Sequence, residues 1–316
     1  MASAAVLISS SVVSLPMLMR TVSAASFADN PICFVFYVNQ LISIAENTTF
    51  STFVLQGAET AASARGYSIM VKYVHAGESI AKQLENTVNE ADGFIILGTD
   101  LNNGSRADMK DFSDFVDGKP VVIVDSTLDF GFADCVVNDN YGGAMSAAKY
   151  LISRGFKKIG YIRSKHRIVN FEQREAGLNA ALKEAGFECH SVVDSEVSLD
   201  EAFKSIDGYL NTGAELPEAF FAENDIIAAA AMRALNAHHI SVPEQISIIG
   251  FDDIPICELT APSLSTVHSF KDQLGETAVD LLFLKFGRVS AEKVDETRGC
   301  RTVSVSTELH IRDSVK

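Results

Sequence analysis

No stretch of this sequence is dense in lysine and arginine: 26 basic residues face 41 acidic ones, a net charge of −15. A chain that grips nucleic acid through its own surface needs clustered cations to displace the counterions condensed on phosphates. The densest basic group, Arg154, Lys157, Lys158, Arg163, Lys165 and Arg167, is interrupted by strand-like residues and reads as a solvated rim. The five cysteines, Cys33, Cys135, Cys189, Cys257 and Cys300, are odd in number, form no C-x-x-C pair and have no metal-ligand spacing with histidine. That argues against a disulfide framework and a zinc module, and toward a reducing, cytoplasmic setting. The histidines offer only the His238–His239 pair and the dispersed His75, His166, His190, His268 and His310, so no catalytic or metal cluster is expected. Neither G-x-S-x-G nor G-x-x-x-x-G-K-[ST] occurs. With no nucleophile and base, no metal set and no phosphate loop, the expectation is a protein that is not an enzyme and carries no cofactor.

What the chain does have is core. Hydrophobic residues make up 47% of its 316 residues and charged ones 21%, with 20 phenylalanines. Such a length suits two compact lobes, because single cores seldom grow past about 250 to 300 residues. Residues 1–30 stand apart. Ala4 to Met19 is apolar and serine-rich, and Val22-Ser23-Ala24 resembles a small-residue cleavage site, yet the basic n-region of a secretory signal is lacking and Arg20 follows the apolar run. The run is too short and too polar for a membrane span. An atypical or truncated N-terminal segment is expected there, with a signal peptide or a membrane-associated helix as the alternatives.

From Ile32 onward, strand and helix patterns alternate. Strand Ile32–Val38 is followed by helix Phe50–Arg65, strand Tyr67–Val74, helix Ser79–Ala91 and strand Gly93–Leu97, then helix Ala107–Val116 and strands Val121–Val124 and Cys135–Asn138. After helix Gly142–Ser153 the alternation resumes: strand Lys158–Ile162, helix Phe171–Ala185, strand Cys189–Val193, helix Leu199–Leu210, strand Ala219–Ala222 and helix Asp225–Ala237. This predicts an α/β fold with parallel sheets. Ile246–Ile249 is a short β-branched apolar run, suited to a strand buried on both faces. At its carboxyl end the chain turns at Gly250 and presents Asp252 and Asp253, where open α/β sheets bind ligands. The two carboxylates are either acceptors for a polar ligand or a turn-and-cap device.

The stretch P-E-Q-I-S-I-I-G-F-D-D-I-P at Pro243–Pro255 resembles the effector-binding portion of the LacI/GalR family of bacterial transcription regulators. So do F-F-A-E-N-D-I-I-A-A-A-A-M-R-A-L at Phe220–Leu235, P-S-L-S-T-V at Pro262–Val267 and L-G-E-T-A-V-D-L-L at Leu274–Leu282. The resemblance covers roughly residues 31–316. It implies two similar doubly wound parallel-sheet lobes of the type I periplasmic-binding-protein kind, with a ligand cleft between them. The first lobe would hold residues 31–155 and 268–290, the second 156–267 and 291–316. Thr266–Phe270 would cross back to the first lobe, helix Gln273–Phe286 would be its last, and Arg301–Ile311 would finish the second. Function by resemblance is effector sensing and dimerisation in a transcriptional regulator, with a sugar or sugar derivative as ligand ahead of a purine. A homodimer is implied, with helices Phe50–Arg65 and Gln273–Phe286 as candidate interface. Relatives usually carry a helix-turn-helix headpiece ahead of this portion; no such helical, basic pattern is read here, so DNA would be met only through a headpiece not visible in this sequence. The rival is an exported sugar-binding protein of a transport system, supported by the N-terminal apolar run.

The candidate ligand residues are Arg174, Asp252, Asn224, Asp125, Asn170, Phe221 and Phe50. Arg174 offers five donors in a planar fork at the start of a helix, suited to hydroxyl pairs or carboxylates; the resemblance gives it an effector contact, against a surface ion pair with Glu172 or Glu175. Asp252 takes the family's effector carboxylate position, while Asp253 orders the turn. Asn224 is either a ligand contact or the N-cap of the next helix. Asp125 closes a strand on the first lobe, and Asn170 lies four residues before Arg174. Phe221 and Phe50 either stack on a sugar ring or fill core.

Overall fold

The computed structural model describes residues 30–38, 48–116, 118–128, 130–289 and 299–316. The expectations for residues 1–30 therefore lie, but for Asn30, outside the described residues. Two six-stranded sheets form the frame. The first contains β1 (Ile32–Val38), β2 (Ile69–His75), β3 (Gly93–Leu97), β4 (Val121–Val124), β5 (Asp134–Asn138) and β11 (Thr302–Val305), in the order β11-β5-β4-β3-β1-β2. The second contains β6 (Ile159–Ser164), β7 (Val192–Ser195), β8 (Ala219–Ala222), β9 (Ser247–Asp252), β10 (Ser265–Ser269) and β12 (Thr307–His310), in the order β12-β10-β9-β8-β6-β7. All pairings are parallel except β10 with β12. This is the two-lobed α/β architecture that the alternation and the resemblance imply.

The central strands are apolar on both faces, and each face carries its own helices. Along β1, Ile32 and Phe34 face one core, with α1 (Thr48–Ser63) and α9 (Lys271–Val289), while Cys33, Val35 and Tyr37 face another, with α3 (Arg106–Val116). The second sheet repeats the plan: α6 (Leu199–Asn211) and α7 (Asp225–Ala237) cover one face, α4 (Asn140–Ser153) and α5 (Val169–Glu184) the other. Four buried clusters, one per sheet face, explain why the strands read as continuous apolar runs rather than alternating ones.

Close helix packing in each half requires a glycine. A Cβ on Gly275 of α9 would lie 2.0 Å from the carbonyl oxygen of Val54 in α1, and one on Gly57 equally near that of Asp272. In the second half a Cβ on Gly177 of α5 would lie 2.2 Å from the Tyr141 carbonyl oxygen of α4.

Four expectations are corrected. Helix Ser79–Ala91 is helical only at α2 (Ile80–Gln83), and turns follow; Ser79 and Asp111 cap its start, but Asn86, Thr87, Val88 and Asn89 are poor helix formers. Helix α4 packs on the second sheet, through Ala144, Ala147, Ala148 and Leu151, so the chain leaves the first sheet after β5 rather than at residue 155. The segment Arg301–Ile311 is shared: Thr302–Val305 pairs with Cys135–Asn138 in the first sheet, and only Thr307–His310 joins the second. An edge position on each sheet was open, and a chain running between them fills both. Thr266 likewise stays in the second sheet within β10, and the crossing falls at Phe270, which packs in the first half's core.

Candidate effector cleft

The carboxyl ends of the parallel strands of both sheets face one cleft, part of it open to solvent. Each sheet delivers a carboxylate there on strained backbone. Asp125 follows β4 at φ 65°, and Asp252 ends β9 at φ 108°. Positive φ is uncommon outside glycine, aspartate being among the residues that tolerate it best. The strain turns each chain sharply at the strand end, so both side chains line the cleft.

Arg174 is the centre of the second half's wall. It is buried, its guanidinium 3.7 Å from the centre of the Phe251 ring. Nε donates to Asn140 Oδ1 at 2.9 Å, Nη1 to the Glu223 carbonyl at 2.6 Å and Nη2 to Asp252 Oδ1 at 3.0 Å. The arginine thus ties α4, the end of β8 and the end of β9 together beneath the cleft. The surface ion pair with Glu172 or Glu175 does not form; Glu175 is taken by Arg163 and Arg167. Burial pushes the Asp252 carboxyl up, with Arg174 and Lys271 pulling it back. Lys271, also buried, donates to the carbonyls of Asp252, Asp253 and Ser269 and so holds the strained turn closed.

The first half's wall is less fully bonded. Asp125 Oδ2 accepts from Thr99 Oγ1 at 2.7 Å, but its Oδ1 is buried without a partner among the described residues. Burial raises its pKa to about 7, against the pull of the Thr99 hydrogen bond and of Arg174. Asn170, in the first turn of α5, donates to the Asp125 carbonyl at 3.2 Å and links the halves across the cleft; its own Oδ1 is a second buried acceptor without a partner.

Six of the seven sequence-selected residues, Arg174, Asp252, Asn224, Asp125, Asn170 and Phe50, line this one cleft. For Asn224 the N-cap role is realised: its Oδ1 accepts from Ile227 N at 2.9 Å, and the residue also lines the cleft. Phe50 fills core, packing into the first half at 8% exposure, and also lines the cleft. Phe221 is corrected. It is fully buried and stacked on Tyr161 in the core between β8 and α4–α5, because its register on β8 points it to that sheet face. The cleft's further walls, Thr99, Ile168, Phe171, Val197 and Ile226, escaped the sequence reading. Phe171 could have been found, since it sits beside Asn170 one helical turn before Arg174 and touches that guanidinium face at 5.5 Å. Asp225, read as structural, is buried with Thr266 Oγ1 and Ile254 N donating to it, its pKa raised to about 7 by burial and by Asp252.

Comparison with known proteins agrees with this architecture. The sequence pattern of the periplasmic binding protein-like domain matches residues 148–315. The HTH-type transcriptional repressor PurR of Mannheimia succiniciproducens is 29% identical over 286 residues, covering 88% of this chain and 81% of that protein. The ribose operon repressor of Escherichia coli K12 is 29% identical over 249 residues, covering 78% and 74%. A LacI family transcriptional regulator from Enterococcus faecium, solved with bound ribose, superposes with a TM-score of 0.72 at 22% identity over 90% of this chain and 98% of that one. Across the described residues no helix is long and apolar enough to cross a membrane. The chain belongs to the periplasmic binding protein-like domain family, as an effector-binding domain of the LacI/GalR type.

Proposed function

We propose that this chain senses a small, hydroxyl-rich effector of the sugar class in the cleft between its sheets, as the effector-binding and dimerisation module of a cytoplasmic transcriptional regulator. The observation that carries the reading is the pair of buried acceptors, Asp125 Oδ1 and Asn170 Oδ1, that have no partner among the described residues. A buried polar atom left unmade costs about 1 to 3 kcal/mol, and hydroxyl donors from a ligand would remove that cost. Phe50 and Phe171 supply apolar surface for the face of a ring, and Asp252 a further acceptor. The ribose named for one relative and bound in one similar structure agrees with this class.

Because Asn170 of α5 already bonds across to Asp125, a ligand joining the same atoms would favour the closed arrangement of the halves, and the differential contact is what can shift such an equilibrium. A homodimer is part of the proposal. Edge strand β2 exposes Val71 and Tyr73, and α9 exposes Leu284, on the half that carries the candidate interface helices. DNA reading would belong to a headpiece, which the described residues do not include.

The test is a thermal-shift and calorimetric screen against pentoses, hexoses, disaccharides, polyols and purines. A sugar at 100 times its Kd should stabilise the chain by about 2.7 kcal/mol. That gain should vanish in Asp125→Ala and Asn170→Ala. A purine hit with no sugar hit would overturn the ligand class, and sugar binding indifferent to both substitutions would overturn the site.

A further inference from the structure

Beside the effector cleft, on the far side of Asp252, three residues that are distant in sequence converge. Asp253 follows β9, His268 lies on β10 and His310 ends β12. His268 and His310 are diagonal neighbours on the one antiparallel pair, where Thr266 faces His310 and His268 faces Glu308. Their rings stack with centres 4.7 Å apart and planes 17° from parallel. Both Nδ1 atoms lie 2.8 Å from the same oxygen, Asp253 Oδ2. The two histidines, dispersed in sequence, are united by strand pairing.

We propose that Asp253, His268 and His310 form a site for a divalent transition metal of the zinc type. One carboxylate oxygen and two imidazole nitrogens, all within 4.8 Å of one another, are the donor set that such ions take. Their supports have the form of an outer shell. Arg312 Nη2 holds the other carboxylate oxygen, Oδ1, at 2.8 Å, which leaves Oδ2 directed at the two rings. Phe270 packs edge-on to His268 at 4.6 Å and fixes its plane. The Glu308 carboxylate lies 3.9 Å from His310 Nε2, on the side of the ring away from Asp253. That is an ion-pair distance rather than a hydrogen bond, and a shift of under about 1 Å would let the carboxylate accept from Nε2–H, the contact by which a carboxylate orients a ligating imidazole. Asp253 itself is fixed at φ 56°.

An ion would take the place of the two Nδ1 to Oδ2 contacts. To bind as a neutral donor through Nδ1, each imidazole carries its one ring hydrogen on Nε2. A hydrogen on Nδ1 therefore passes to Nε2 by exchange with water, only a doubly protonated ring releases one to solvent, and no redox partner is needed. A second cleft of about 1130 Å³, open to solvent, is lined by Asp253, His268 and Arg312 and gives a path for the ion and room for a water ligand. The place is significant for the fold. β10 leads directly into α9 of the first half, β12 follows directly on β11 of the first sheet, and Asp253 neighbours the cleft residue Asp252. An ion here would fasten the second-half ends of two of the crossings between halves. The proposal does not depend on what the main cleft binds.

The experiment is a Co²⁺ titration of the untagged full chain after chelator treatment, followed by visible absorption, with Zn²⁺ as competitor. One equivalent should produce d–d bands that Zn²⁺ abolishes. Each of His268→Ala and His310→Val should weaken binding by ~10-fold or more, and Glu308→Gln by ~10-fold through the ring it backs. Far-ultraviolet circular dichroism checks that the variants fold. In wild-type protein, independently of any variant, Co²⁺ should broaden the ring signals of His268 and His310 and leave His238 and His190 sharp. Absence of the bands, binding undiminished in both histidine variants, or broadening confined to other histidines would each overturn the site.

Discussion

Arg174, from the second half, enters the cleft with Asn140, the Glu223 carbonyl and Asp252 already bonded to it, whereas Asp125, from the first half, has one oxygen bonded to Thr99 and the other without a partner among the described residues. Arg174 is set before any ligand arrives, while Asp125, and Asn170 beside the arginine on α5, keep acceptor capacity unused among the described residues. Rigid, fully bonded donors fix orientation at little entropic cost, while unmet acceptors supply the free-energy difference between empty and filled states. A ligand cleft uses both kinds of group, and here Arg174 stands for the first and Asp125 and Asn170 for the second.

The comparison can be broken most severely at Arg174. Arg174→Ala removes a buried cation that serves three elements and leaves Asp252 without its partner, so stability should fall by about 3 to 5 kcal/mol in urea denaturation. Asp125→Ala should cost far less, because it removes a carboxylate already short of partners. Equal losses at the two sites would erase the distinction.

The helix crossings sharpen it next. Gly275→Ala and Gly177→Ala each place a Cβ against a backbone carbonyl and should each cost about 2 to 3 kcal/mol. They should part in ligand affinity. Gly177 lies three residues beyond Arg174 on α5, so its variant should weaken binding of whatever effector the screen finds, while the Gly275 variant should leave affinity near wild type.

Proton linkage gives a third test. Burial raises the Asp125 carboxyl to about 7 in the folded chain, far above its value unfolded. The folded state therefore holds the proton more tightly. The associated stability is fully present below about pH 4 and is lost as pH rises through about 7. Asp125→Asn keeps the shape and cannot ionise, so its melting midpoint should rise relative to wild type between pH 5 and pH 8. A pH-independent difference between the two proteins would contradict the buried carboxyl. Asp225 is raised to about 7 as well and should show the same sign, but as a pillar under Thr266 and Ile254 it should not respond to ligand.

The smallest effect belongs to Asn170→Ala, which deletes the hydrogen bond to the Asp125 carbonyl, worth about 1 kcal/mol. Its consequence should show instead in ligand affinity and in the spacing of the halves by small-angle scattering, with a more open average in the variant.

Much of this was readable from local pattern. β1, β3 and β4 have the bounds that their apolar runs suggest, since strands buried on both faces leave no ambiguity of period. Asp125 and Asp252 drew attention at strand ends, where α/β sheets gather ligands, and Arg174 and Asn170 chiefly because the family resemblance places polar effector contacts there; the structure brings all four to one cleft. Phe221 was misplaced because both faces of a buried strand look alike in sequence, and only register against Tyr161 decides which core it enters. Thr99 and Val197 carried no signal, being small residues in loops whose part depends on what lies across the cleft.

The sequence by itself determined that the chain is two parallel α/β units, through continuous apolar strands and alternating helices, and that polar groups would stand at the carboxyl ends of those strands. Tertiary structure alone decided that β11 and β12, separated by Ser306, belong to different sheets, that Arg174 faces inward rather than pairing with Glu175, and that His268 and His310 share an aspartate. Periodicity is a property of neighbours along the chain; edge pairing, the choice of ion-pair partner and the meeting of distant side chains depend on surfaces that exist only once both sheets have formed.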